Sequence, residues 1–71
     1  MKYYAIKRKK DGKFVSGTDF RYSPPHCRFA NEYMPPLLLA AYNLDLEIRR
    51  RGINLKNYKI VVVEVKGIDG D

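Results

Sequence analysis

The run "NYKIVVVEVK" at residues 57–66 is strand-forming along its whole length, because β-branched and aromatic side chains suit a pleated, half-buried surface. Ile60 and Val62 fall on one side of such a strand, and Val61, Val63 and Val65 on the other. Both faces are therefore apolar, whereas an exposed outer strand alternates with polar residues. The pattern predicts a strand through the middle of a sheet. One helix would cover one face, and another segment or a companion molecule the other.

That demand is sharp in so short a chain. At 71 residues a single domain buries only roughly 60% of the surface its unfolded form exposes. One cysteine, Cys27, rules out an internal disulfide, and no Cys/His cluster has zinc-ligand spacing, so no cofactor is expected. Self-association into a homodimer is the expected supplement to the core. A lone thiol suits a reducing compartment, and the longest apolar stretch, "MPPLLLAAY", is far below the ~20 residues that span a bilayer. A cytoplasmic protein without a membrane partner is expected.

Elsewhere the local signals are turn chemistry and helix punctuation. "KYYAIKRKKDGKFV" predicts a β-hairpin, with Asp11-Gly12 tolerating the φ > 0 that the turn needs and Phe14 and Val15 opening the return strand. Gly17 marks a bulge or the strand's end. The Pro24-Pro25 pair keeps its segment out of a central strand, and "HCRFA" at 26–30 alternates as a short edge strand with Cys27 and Phe29 on one side. "PPLLLAAYNLDLEIRRRG" reads as a helix in which Leu37, Ala41, Leu44 and Ile48 form one buried stripe and the arginines meet the negative end of the dipole. Gly52 suits the left-handed position after its last turn. Asn43 offers a second start, which leaves 37–42 extended. The resulting fold class is α+β: a small antiparallel sheet of three to four strands, order β-β-(β)-α-β, with one helix packed on one face. Residues 1–66 form the single domain and 67–71 a frayed tail.

The formal charge is +6, and its distribution is uneven. "KRKKDGK" at 7–13 holds five cations and one carboxylate, and "RRR" follows at 49–51. Such asymmetry points to an anionic partner: nucleic acid, a nucleotide or an acidic protein surface. The candidate binding residues are Lys7, Arg8, Lys10 and Lys13 around the hairpin, Arg21, Tyr22, His26 and Arg28 around Pro-Pro, and Arg49 and Arg50 at the helix end. Interleaved cations and aromatics can hold phosphates and stack bases. The plain alternative makes these cations a solvated face and gives Phe20 and Phe29 to packing.

Catalysis has no constellation to rest on. His26 and Cys27 are strand neighbours that point to opposite faces, Asp45 and Glu47 are two apart on a helix, and no GxGxxG, GxxxxGK[ST] or HExxH occurs. No catalytic residue and no metal ligand is expected.

"YYAIKRKKDGKFVSGTD", "CRFA", "LEIRRRGI" and "YKIVVVEVK" together resemble a recurring kind of small bacteriophage or prophage protein: a "Y-x-I-K" strand, a "G-K" hairpin, an "R-F" strand, one helix and a closing "Y-x-I-V-x-V-x-V" strand. The resemblance implies a non-enzymatic, stoichiometric inhibitor of a bacterial host or defence protein, anti-CRISPR-like in manner. A nucleic-acid or cyclic-nucleotide binding module is the alternative. It carries over no site residue.

Overall fold

The computed structural model describes residues 1–64, so the expected tail at 67–71 lies outside the described residues. The fold is α+β. Strands β1 (Lys2–Arg8), β2 (Val15–Asp19) and β3 (His26–Phe29) precede helix α1 (Leu44–Arg50), and β4 (Tyr58–Glu64) follows it.

The strands form two antiparallel ladders rather than the single sheet expected. β1 pairs with β4, from Lys2 opposite Glu64 to Arg8 opposite Tyr58. β2 pairs with β3, from Val15 opposite Phe29 to Asp19 opposite His26, with a bulge between Val15 and Gly17. A bridge between Lys7 and Phe14 joins the ladders beside the turn. The turn forms at the expected place: the Gly12 N–H donates to the Arg8 carbonyl at 2.8 Å, and Gly12 has φ +73°. The hairpin is shorter than expected, because β2 bends away to pair with β3.

β4 is not a central strand, which corrects the reading of its valines. Among the described residues it pairs with β1 alone, and β1 holds the interior position. On its other edge Tyr4 exchanges two 2.8 Å backbone hydrogen bonds with Leu39, and the Arg8 N–H donates to the Lys13 carbonyl. Val62 is 57% exposed, whereas Val61 and Val63 are half-buried opposite Ala5 and Tyr3. Cross-strand pairs thus cover much of the second face from within.

The helix starts at the second site read from the sequence. Residues 37–40 are extended, a 3-10 turn spans Ala41–Asn43, and α1 begins at Leu44. The Leu37 and Leu39 N–H groups donate to the Val15 and Tyr4 carbonyls, so this leucine run adds backbone pairs to two strands instead of a helical stripe. Ala41 is exposed, and Leu44 and Ile48 reach the core only in part. Asn43 does not cap with its side chain, and its buried Oδ1 finds no hydrogen-bond partner. The C-terminus is fully made: the Gly52 N–H donates to Arg49 and the Ile53 N–H to Ile48, with Gly52 at φ +66°. This Schellman closure needs a residue without a Cβ penalty and turns Ile53 inward.

Ile6, Val15, Leu39 and Ile53 form the buried cluster, each from a different segment. Ile6 and Val15 are completely enclosed, and each side chain contributes about 1.5–3 kcal/mol by leaving water. Cys27, Phe29, Leu37, Tyr58 and Ile60 pack around them.

Candidate functional site

The candidate cations divide into two groups with different electrostatics. The first gathers at the hairpin end. Lys7, Arg8, Lys9, Gly12 and Lys59 line an open concavity of about 430 Å³. β1 delivers Lys7 and Arg8, the tight turn brings Gly12 back over them, and β4 supplies Lys59. In the sequence Lys59 lies inside the strand-forming run, away from the basic clusters. Its role becomes visible once the ladder register sets it directly opposite Lys7.

Among the described residues only Arg8 in this group is paired with a carboxylate. Its Nε donates to Asp11 Oδ1 at 3.1 Å and its Nη2 to Asp11 Oδ2. The guanidinium also lies 3.9 Å from the Phe29 ring centroid. Hydrogen bonding from Arg8 holds the Asp11 carboxyl down at about 2, with the Lys13 N–H adding to the effect. Asp11 thus shapes the turn and is committed to Arg8. Lys7, Lys10, Lys13 and Lys59 have no carboxylate partner among the described residues, and the Lys9 ammonium donates only to the Leu55 carbonyl at 3.3 Å. The Lys7 stem passes Gly12 and its Nζ sits 5.7 Å from the Phe14 centroid, so the chain is steered while the charge stays at the surface.

The second group lies at the far end of β2, roughly 20 Å of strand from the turn at ~3.3 Å per residue. Here carboxylates bind most of the arginines. Asp19 accepts two bonds from Arg21 Nε and one from Nη2 at 2.7 Å, and a longer one from Arg28 at 3.3 Å. Hydrogen bonding from Arg21 side chain and backbone, with help from Arg28, holds its carboxyl well below the usual carboxylate range. Glu47 accepts from Arg50 and Arg51, which lowers its carboxyl too. Arg51 also donates to Thr18 Oγ1 at 2.9 Å and so ties α1 to β2. Arg51 belongs to the basic 49–51 run read as an anion-binding end, and its half-buried position on Glu47 and Thr18 makes it structural instead. Arg49 is exposed without an ion pair among the described residues.

The aromatic side chains in the "DFRYSPPHCRF" stretch take distinct roles. Phe29 packs against the core as expected. Phe20 does not; it is 48% exposed, with Arg50 at 4.8 Å and Arg51 at 5.9 Å from its centroid. Tyr22 stacks on His26 with centroids 3.9 Å apart and planes 4° from parallel. Cys27 turns toward the core instead, so no Cys–His pair is assembled.

Comparison with protein-family models, with curated proteins and with solved structures returned no match.

Proposed function

We propose that this chain is a non-enzymatic binding protein that holds a nucleic-acid strand by its phosphates, in the groove at its hairpin end. The Lys7–Lys59 pair carries the reading. Like charges directly opposite across a ladder destabilise it, and among the described residues no carboxylate neutralises these two. At the other end of the molecule carboxylates pair every arginine but Arg49 among the described residues, so the hairpin end carries the larger unneutralised charge. A polyphosphate strand would relieve the repulsion and release its own counterions.

The magnitude follows from the number of lysines. Five unpaired ammonium groups, Lys7, Lys9, Lys10, Lys13 and Lys59, give a slope of log K against log salt of about −3.5 for a single strand. Between 50 and 200 mM salt the affinity should then fall roughly 100-fold. Fluorescence anisotropy with a labelled 12-mer oligonucleotide, titrated across that range, tests this. A flat salt response, or no binding at 50 mM, removes the proposal.

A second reading keeps the stoichiometric inhibitor of a bacterial host or defence protein. It is favoured by Tyr42, 91% exposed in the 3-10 turn, and Leu46, 58% exposed on α1, four residues apart in the chain. It predicts a complex that Leu46→Asp abolishes and Lys10→Glu leaves intact, in pull-downs from bacterial lysate followed by reconstitution.

A further inference from the structure

A groove of lysines grips phosphates and cannot by itself distinguish a single strand from a duplex. That distinction needs a flat apolar face where an unpaired base can lie. Most aromatic rings near the basic residues are already covered. Lys7 sits over Phe14, Arg8 over Phe29, and Arg50 and Arg51 over Phe20. The Tyr22–His26 stack is different: each ring uses one face on the other, no cation among the described residues covers it, and Tyr22 is 49% exposed.

The stack is also held in place. His26 opens β3 opposite Asp19, which is itself pinned by Arg21 and Arg28. Only Ser23, Pro24 and Pro25 separate the two rings, and the prolines have fixed φ. That strap rests on the helix end, where a Cβ added at Gly52 would come within 3.3 Å of Pro25 Cδ and 3.8 Å of Pro24 Cβ. Beside the stack the surface is open. Gly17 faces Arg28 across the ladder, and a Cβ there would meet nothing within 4 Å. Tyr33 and Tyr42 are more exposed, at 84% and 91%, but neither is stacked on another ring, so ordering them on a ligand would cost rotamer freedom.

We infer that the Tyr22–His26 stack is a docking ledge for one unpaired nucleobase, with Arg21 and Arg28 placed to meet the adjoining phosphate. The inference rests on the phosphate-binding reading of the hairpin groove and narrows it to single-stranded nucleic acid. Arg21 and Arg28 supply direction at this ledge. Asp19 occupies one edge of the Arg21 fork and a single Arg28 nitrogen, and among the described residues the remaining N–H groups have no carboxylate partner. A base laid on the open side of the column would extend an existing stack from two rings to three.

The test compares three labelled ligands of equal length at one low salt concentration: a single-stranded oligonucleotide, the same strand with abasic sites throughout, and a duplex. Tyr22→Ala should weaken the base-bearing strand about 5- to 150-fold, the loss expected for one stacked base, and leave the abasic strand and the duplex unchanged. Tyr22→Phe, which keeps the ring face, should bind like the parent. Equal thermal midpoints confirm that the variants fold. The inference is overturned if Tyr22→Ala binds the base-bearing strand as well as the parent does, or weakens the abasic strand equally. In either case Lys10→Glu with Lys13→Glu reports separately on the groove, because it should weaken all three ligands. If the parent protein binds none of the three, both readings fall.

Discussion

Replacing Ile6 with alanine should bring this domain to the edge of unfolding, and more sharply than the same change at Ile60. Ile6 is 1% exposed and lies on β1, the strand with partners on both edges, whereas Ile60 is half-buried on the outer strand β4. Removing three buried carbons forfeits about 2.4 kcal/mol of transfer free energy at ~0.8 kcal/mol per methylene. The cavity left behind raises the cost into the range of ~2–5 kcal/mol. A chain of this size has roughly 4–10 kcal/mol of stability, and a cluster of four buried side chains argues for the lower part of that range. Each kcal/mol moves the midpoint of a small domain by about 4–8 °C, so a loss of ~2–5 kcal/mol at Ile6→Ala should lower it by roughly 8–40 °C. Ile60→Ala removes about half as much buried surface and should cost about 1–2 kcal/mol. Thermal and urea melts followed by circular dichroism measure both. Equal losses, or a larger one at Ile60, would contradict the assignment of β1 as the interior strand.

Gly52→Ala should lower the midpoint, because a Cβ costs ~1–2 kcal/mol in the left-handed region and would press on Pro25; Gly17→Ala, with open space around it, should leave the midpoint unchanged. Acid should destabilise the fold through Asp11. Its carboxyl is held at about 2 when folded and titrates near ~3.9 when unfolded, so its contribution is present above pH ~4 and disappears as pH falls toward 2. Urea midpoints at pH 5 and pH 2.5 should therefore drop less for Asp11→Asn than for the parent, and equal drops would count against the Arg8–Asp11 pairing. Glu47→Gln should loosen the joint between α1 and β2, seen as faster amide exchange around Thr18 and Arg51; unchanged exchange would show that the Arg51–Thr18 contact holds without it. Lys10→Glu with Lys13→Glu should reduce the salt slope by about 1.4 and keep the melting temperature, since both side chains are exposed at the turn.

Much of the local structure was legible because it depends on backbone chemistry. Asp11-Gly12 marked the turn and Gly52 the helix end, each through a conformation that few residues adopt, and Gly17 marked the bulge or strand end, where a bulge forms. Asn43 offered the correct helix start, but the leucines after Pro36 fit a helical stripe as well as an extended segment. Only the bonds from Leu37 to Val15 and from Leu39 to Tyr4 decide between them. The position of β4 was misread because apolar residues on both faces were taken to require cover from outside. In the folded chain Val61 and Val63 lie against Ala5 and Tyr3, a shelter that depends on register and is invisible in one strand's pattern. The candidate site was legible by residue type and not by pairing. Asp19–Arg21 and Glu47–Arg51 are short-range partners, whereas Arg28 reaching Asp19 and Lys7 facing Lys59 depend on strand pairing.

The central claim is that the hairpin lysines form the anion-binding surface. Amide chemical-shift mapping of the isotopically labelled protein, titrated with a single-stranded oligonucleotide at 50 mM salt and again at 200 mM, tests it most directly. The account predicts shifts concentrated at residues 7–13 and at Lys59, with a smaller set at Tyr22 and His26, all fading at the higher salt. Shifts centred on Tyr42 and Leu46, or a spectrum that does not move, would contradict it.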